Sequence, residues 1–283
     1  MSKTCRICQS SAVAQYCQLS PRIFGKEYTI YVCEQCGTGS TEPLPSISES
    51  HYEGEVRPEI ITEEYSLEIN RAVIKFIDKF TAIRGEPPVS MVDIGCGNGL
   101  ILLEAKRLGL QVKGVEPSKE MCETVIKRGI PVFNGYLEEF NELGNFDIIL
   151  LSSVIEHFED PIKALEILHT NMSDKAVIVC QQAVYDGLIP KLIKKFWYGW
   201  SPSEHYWHFT ESAFVRLLNI VKFNVVTRDR GNLYYQFIPI KNLKHWKSFV
   251  FSNGCKLLSL FAAALRRGDS INFYSIKTSK KTK

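Results

Sequence analysis

The sequence predicts an α/β protein, a mostly parallel sheet wrapped by helices on both faces, with a small cysteine-rich module in front of it. Three observations lead there. Apolar runs of strand length alternate with amphipathic runs of helix length between residues 88 and 182. The turn "VDIGCGNGL" follows the first of those runs. Four of the nine cysteines stand near the N-terminus as two C-x2-C pairs, "CRIC" and "CEQC".

The elements follow in order. Residues 1–45 read as a separate module with little helical periodicity, ending in the Pro/Ser-rich stretch "TEPLPSISES". Residues 46–88 form a polar approach and a first helix, with Ile69, Val73, Phe76, Ile77 and Phe80 on one face. From residue 89 to the end runs the main domain. "VSMVDIG" is a strand and "GLILLEAKRLGL" a helix stopping near Gly109. "QVKGVEP" is a strand, followed by a helix capped by Ser118 and stopped by Gly129. "IPVFNG" and the nearly all-apolar "FDIILLSS" are the third and fourth strands. Asp160 and Pro161 open the next helix, and "KAVIVCQ" is the fifth strand. Strands this apolar need cover on both faces, which only a parallel sheet between helices supplies.

The rhythm then breaks. Residues 182–209 are aromatic and irregular, the kind of excursion that carries an acceptor site. A helix capped by Thr210, a strand "FNVVTRDRG", a helical insertion at residues 236–268 and a last strand "SINFYSIKT" complete the chain.

Totals narrow the function. The 283 residues carry a formal net charge of +3, too little to argue for a nucleic-acid partner. No run of about eighteen apolar residues is present to span a bilayer. The polar opening "MSKTCRICQS" lacks the core of an export signal, so a cytoplasmic protein with reduced cysteines is expected.

The glycine turn has the spacing G-x-G-x-G, which departs from the dinucleotide fingerprint G-x-G-x-x-G. Asp93, two residues before Gly95, would repel a pyrophosphate and suits a ligand with a cationic amine or sulfonium. Glu116 ends the next strand, about twenty residues on, where a carboxylate accepts ribose hydroxyls. A ribose with free hydroxyls, a positive end and no phosphate describes S-adenosylmethionine.

With "VDIGCGNG", "GVEPS" and "FDIILLSSVIEHFEDP" on hand, the sequence resembles the class I S-adenosylmethionine-dependent methyltransferases over residues 89–181, continuing past Thr210. The resemblance implies a Rossmann-like sheet in which Gly95 and Gly97 admit the methionine part of the cofactor. It implies further that Asp93 orients the amino group, Glu116 holds the ribose and Ser152 lies beside the cofactor. At Tyr136 the family often places an acid for adenine, and this chain does not.

Cys5, Cys8, Cys33 and Cys36 have the spacing of a closed four-sulfur zinc site, which is structural because no coordination position stays open. A module this small depends on its metal for stability. The ribbon has few cations, Lys3, Arg6, Arg22 and Lys26, and an acidic end, a poor surface for phosphates. The arrangement resembles methyltransferases of deoxysugar and surface-polysaccharide synthesis, which often open with such a ribbon and a tyrosine like Tyr52. That resemblance implies a sugar or glycan acceptor with the ribbon as a wall of its pocket.

Methylating a sugar oxygen, or the carbon beside a keto group, requires a base. His157, just beyond the fourth strand, and His205, in "SEHYWHF", are the candidates. Glu156 and His157 have an alternative role as a hydrogen-bonded loop anchor, and His208 as a cap for the helix at Thr210. Some hydroxyl methyltransferases with "EH" here bind a divalent ion through an acid three residues earlier. That position is Ser153, so no catalytic metal is expected. Phe196, Trp197, Tyr198, Trp200, Tyr206 and Trp207 read as packing before sugar stacking. The helix carrying Trp246, Phe249, Val250, Leu257, Leu260 and Phe261 reads as core-facing, with peripheral membrane contact the lesser reading.

The reading is thus a sugar methyltransferase acting on oxygen before carbon. Its rivals are an RNA methyltransferase gripping RNA through the ribbon, which salt-sensitive RNA binding would reveal, and a non-catalytic zinc-ribbon adaptor that binds no cofactor.

Overall fold

A computed structural model describes residues 3–20, 25–45, 63–231, 261–262 and 265–278. Tyr52, Arg22 and most of the 236–268 insertion, with Trp246 through Leu260, lie outside the described residues.

Two sheets organise the chain. The smaller begins with strands β1 (Val13–Leu19), β2 (Tyr28–Cys33) and β3 (Gly39–Glu42), all antiparallel. Helix α1 (Glu63–Arg84) leads into the larger sheet and buries Val73, Phe76 and Phe80 against it.

The larger sheet alternates with helices as the sequence predicts. Its strands are β4 (Ser90–Ile94), β5 (Gln111–Glu116), β6 (Val132–Asn134), β7 (Ile148–Ser152) and β8 (Val177–Ala183). Between them run α2 (Leu100–Arg107), α3 (Lys119–Lys127) and α4 (Pro161–Asn171). Then come α5 (Leu188–Ile193), the two-residue strand β9 (Trp207–His208), α6 (Glu211–Ile220), β10 (Phe223–Gly231) and β11 (Ser270–Lys277). The order across the sheet is β10-β11-β8-β7-β4-β5-β6. β4 to β8 are mutually parallel, whereas β11 runs antiparallel between β8 and β10.

Caps stand where the sequence places them. Ser118, Asp160 and Thr210 accept backbone N–H bonds from Met121 (3.4 Å), Lys163 (3.0 Å) and Ala213 (3.1 Å). Ile148 to Leu151 are wholly buried, as a central parallel strand requires. On α6, Phe214, Leu217 and Leu218 are buried too, and each such side chain stabilises the fold by roughly 1.5–3 kcal/mol.

One feature was not legible in the sequence. β9, from the irregular 182–209 segment, pairs antiparallel with β3 (Gly39 with His208, Ser40 with Trp207), so the smaller sheet is completed by a strand from far along the chain. No helix among the described residues is long and apolar enough to cross a membrane.

Candidate functional site

The strand order reverses at β4, whose neighbours are β5 and β7, and ligands of such sheets bind beyond the carboxyl ends at that point. The glycine turn sits there. Gly95 has φ +70°, and a Cβ on it would stand 2.8 Å from Val154 Cγ2. Gly95→Ala is therefore expected to lower stability by about 2–4 kcal/mol, from left-handed strain plus overpacking, read as a drop in thermal midpoint. Around Gly97 there is open space, with nothing within 4 Å of where a Cβ would stand.

The two carboxylates beside this cradle differ. Glu116 is tied down, its Oε2 accepting from Gly97 N and its Oε1 from Ser118 N, both at 2.9 Å. Burial raises its pKa, and those two bonds partly offset the rise. Asp93 is 2% exposed, and its Oδ1 has no hydrogen-bond partner. Burial first, and the charge of Glu116 second, push its pKa well above the carboxylate range. A buried orphan carboxylate next to an open backbone cradle fits a ligand that brings a cationic amine, as S-adenosylmethionine does. Ser152, at the end of β7, donates to Gln181 Oε1 at 2.7 Å, with its backbone still at this edge. Tyr136 is 49% exposed.

Past β7 the chain makes a single 3-10 turn at Ile155–His157, with Ser153 at φ +54°. That turn places Glu156 and His157 beside His205, a gathering that sequence reasoning missed. The imidazoles of His157 and His205 meet edge to face with centroids 4.8 Å apart. One ligating atom from each of the three residues lies within 4.8 Å of the others. One backbone bond and one side-chain bond fix the arrangement. Tyr206 N donates to Glu156 O, and Trp207 Nε1 donates to Phe158 O, each at 2.9 Å.

Burial sets the charge of these groups. Glu156 is 1% exposed, and its carboxyl is pushed up to about 7, with the Gln182 amide beside it tempering the rise. Neither of its oxygens makes a hydrogen bond of good geometry. Burial and the neighbouring imidazoles hold His205 well below the usual histidine range. Its Nδ1 lies 3.1 Å from Gly199 O, so that nitrogen carries the proton and Nε2 keeps the lone pair. His208 does not cap α6. Burial drops its pKa to about 3, and its Nε2 pairs with Thr41 Oγ1 at 2.8 Å, while Thr210 itself caps the helix.

The four N-terminal cysteines also converge. Cys5 and Cys36 sulfurs are 3.7 Å apart, Cys8 and Cys33 sulfurs 3.5 Å, and the four lie within 4.8 Å of one another with no disulfide among them. Such a set could hold one tetrahedral thiophilic ion. The module they belong to docks on the segment that carries His205. Besides the β3–β9 ladder, Tyr185 Oη donates to Gly37 O at 2.6 Å, and Arg6 lies 5.1 Å from the Trp207 ring while donating to Glu159 O at 3.1 Å.

Trp197, Trp200 and Trp207 are nearly fully buried and pack, as the sequence predicts, whereas Phe196 is exposed. Trp197 Nε1 donates to Asp269 Oδ2 at 3.1 Å and Trp200 Nε1 to Lys194 O at 2.8 Å, and the Trp200 ring meets Trp197 and His208 edge to face with centroids 5.1 and 4.9 Å away.

Comparison with known proteins agrees with this geometry. Among curated relatives, the ubiquinone biosynthesis O-methyltransferase of Rhodopseudomonas palustris is 38% identical over 76 residues, which are 25% of this chain and 30% of that protein. That of Paraburkholderia phymatum is 29% identical over 113 residues, 36% of this chain and 47% of the relative. The chain thus spans less than half the length of these relatives. Among solved structures, an S-adenosylmethionine-dependent methyltransferase of Thermotoga maritima, described as a possible histamine N-methyltransferase, is 17% identical with a TM-score of 0.50 over 76% of this chain and 93% of its own. The plantazolicin methyltransferase BpumL, solved with S-adenosylhomocysteine, is 19% identical with a TM-score of 0.52 over 82% and 94%. Identities this low show the fold alone. The profile of the family described as "Methyltransferase domain" matches residues 65–228, more than half of the chain and nearly all of the larger sheet. With the broken dinucleotide fingerprint, the orphan Asp93 and the tethered Glu116 all inside that span, the chain belongs to the methyltransferase-domain family.

Proposed function

We propose that the protein transfers a methyl group from S-adenosylmethionine to a hydroxyl of a nucleotide-linked or glycan-linked sugar, oxygen being favoured over carbon. The observation that carries this reading is the convergence of Glu156, His157 and His205 on the edge that holds the cofactor cradle. Methyl transfer to oxygen needs such proton-accepting groups close to the donor. The names of the curated O-methyltransferase relatives point the same way.

Asp93 would pair with the amino group of the cofactor, Glu116 would hold the ribose, and the backbone at Gly95 and Gly97 would let the methionine part approach. When bound, S-adenosylmethionine supplies a methyl group on a positively charged sulfur, which departs as a neutral thioether. His157 or His205 takes the acceptor proton through an imidazole nitrogen. The buried tryptophans and the docked ribbon keep bulk water from that proton.

The N-terminal module argues against a polyanionic acceptor such as RNA. Lys3 pairs with Glu42, and Arg6 is engaged by Trp207 and Glu159, so two of its four cations are already occupied within the protein. That is a weak grip for an RNA backbone, and it favours a sugar over the RNA reading. The intact Asp93 and Glu116 weigh against a non-catalytic adaptor. We further propose that Cys5, Cys8, Cys33 and Cys36 hold one structural Zn2+ in a reducing cytoplasm.

The test is transfer of labelled methyl from S-adenosylmethionine to a panel of nucleotide sugars, a lipid-linked glycan extract and total RNA. Label in a sugar fraction supports the proposal, and label confined to RNA overturns it. His157→Ala and His205→Ala are expected to lower turnover by about 10²–10⁴-fold for whichever is the base, with cofactor affinity kept. Full turnover in both variants would remove the histidines from the chemistry.

A further inference from the structure

We propose that Glu156, His157 and His205 form a second metal site, apart from the cysteine cluster, which takes a divalent first-row ion such as Zn2+, Co2+ or Mn2+ through mixed nitrogen and oxygen ligands. The proposal rests on the acceptor-edge reading above and deepens it: with an ion bound, the two histidines serve as its ligands, and the ion takes over from a free imidazole the task of activating the acceptor.

Four observations carry it. The three ligand atoms lie within 4.8 Å of one another, so small side-chain movements bring each to the roughly 2.0–2.2 Å that such ions require. Both Glu156 oxygens are buried without a well-formed hydrogen bond, and a buried carboxylate in that condition is stabilised by a cation. The proton of His205 is fixed on Nδ1 by Gly199 O, the outer-shell arrangement that orients a metal-binding imidazole and frees Nε2 for the ion. Two bonds already hold the set together, the backbone bond Tyr206 N to Glu156 O and the side-chain bond Trp207 Nε1 to Phe158 O.

The sequence argued against a metal here, because Ser153 stands where an additional acid would complete a set on the loop after β7. The structure supplies the third ligand from elsewhere: His205 reaches in from the segment that β9 anchors to the ribbon. A histidine replacing an acid makes the set richer in nitrogen, which favours Zn2+, Co2+ or Mn2+ over Mg2+. Three protein ligands leave coordination open, the pattern of catalytic sites. An acceptor hydroxyl placed there would ionise more readily, as water does on such ions, its proton leaving to solvent before the resulting alkoxide takes the methyl group.

The test uses the full chain with its cysteine site filled by Zn2+, titrated with Co2+ and followed by visible absorption. Uptake of about one equivalent with weak d–d bands and no thiolate charge-transfer band is expected, since nitrogen and oxygen ligate. Glu156→Gln and His205→Ala are each expected to weaken that uptake at least about tenfold, with cofactor binding and thermal midpoint checked to exclude misfolding. No uptake by the zinc-loaded wild type overturns the proposal, and so does uptake that survives in His205→Ala. The two readings fail separately. Cobalt uptake without any methylated sugar leaves the metal site standing and removes the acceptor. Sugar methylation that needs the histidines but shows no cobalt uptake removes the metal and leaves the base.

Discussion

Asp93→Asn is expected to weaken S-adenosylmethionine binding by about 100-fold and, with no ligand present, to make the protein more stable. Both effects come from one buried oxygen. In the free protein, Asp93 Oδ1 has no partner, and burial plus the nearby Glu116 charge raise the carboxyl pKa. An acid whose pKa is higher folded than unfolded is destabilising above its unfolded value, and the penalty grows as pH rises toward the folded value. Stability of the free protein should therefore fall as pH climbs from the ordinary aspartate range, and the asparagine variant should lose that slope. Removing an uncompensated buried charge gains about 1–3 kcal/mol. The same carboxylate is what a cationic amino group would need, and losing one partner of a buried charge pair costs about 2–5 kcal/mol of binding. Calorimetric titration with the cofactor and thermal unfolding at several pH values check the two halves. Unchanged affinity in Asp93→Asn would remove this residue from the cofactor site.

Cys33→Ala is expected to abolish zinc binding and to lower methyl transfer at least about 100-fold, while cofactor affinity changes less than about threefold. Cys33 closes β2, and its N–H bonds to Thr38 O at the turn leading to β3. Without the metal, a sheet this small lacks the stability to hold its edges, because structural zinc contributes about 10–16 kcal/mol to such modules. β3 then loses its hold on β9, and Thr41 its hold on His208. His205 lies two residues before β9 and would be displaced with it. Asp93 and Glu116 sit on β4 and β5, away from the ribbon's sheet, so the cofactor site should persist. Zinc content, turnover and calorimetric cofactor binding on one preparation decide the matter. A zinc-free variant with full turnover would detach the ribbon from the chemistry.

Much of the main sheet was legible because its signals are local. Strand apolarity, the caps Ser118, Asp160 and Thr210, and the stop glycines each act within a few residues. The places of Asp93 at β4 and Glu116 at the end of β5 were legible because their spacing from the glycine turn is set by strand and helix lengths that the pattern reveals. The gathering around His205 was less so. A two-residue strand such as β9 has no period to detect, and its partner β3 lies in another module. Glu156 and His157 are an ordinary doublet in sequence, whereas the missing partners of Glu156 and its proximity to His205 are properties of packing. His208 illustrates the same limit. Its place before Thr210 suggested a local cap, but a distant threonine holds it.

The pairing of β3 with β9 bears on when this protein becomes whole during synthesis. Thr41 and His208 are separated by 167 positions, so the module made first stays without its fourth strand until nearly three quarters of the chain has left the ribosome. The parallel sheet is laid down in the interval. The N-terminal module is thus first in order of synthesis yet is finished only after the parallel strands, while the larger sheet waits longer still, for β11 to insert between β8 and β10. Transplanting the N-terminal module would therefore require moving residues 200–209 along with the cysteines, since its sheet is completed by β9.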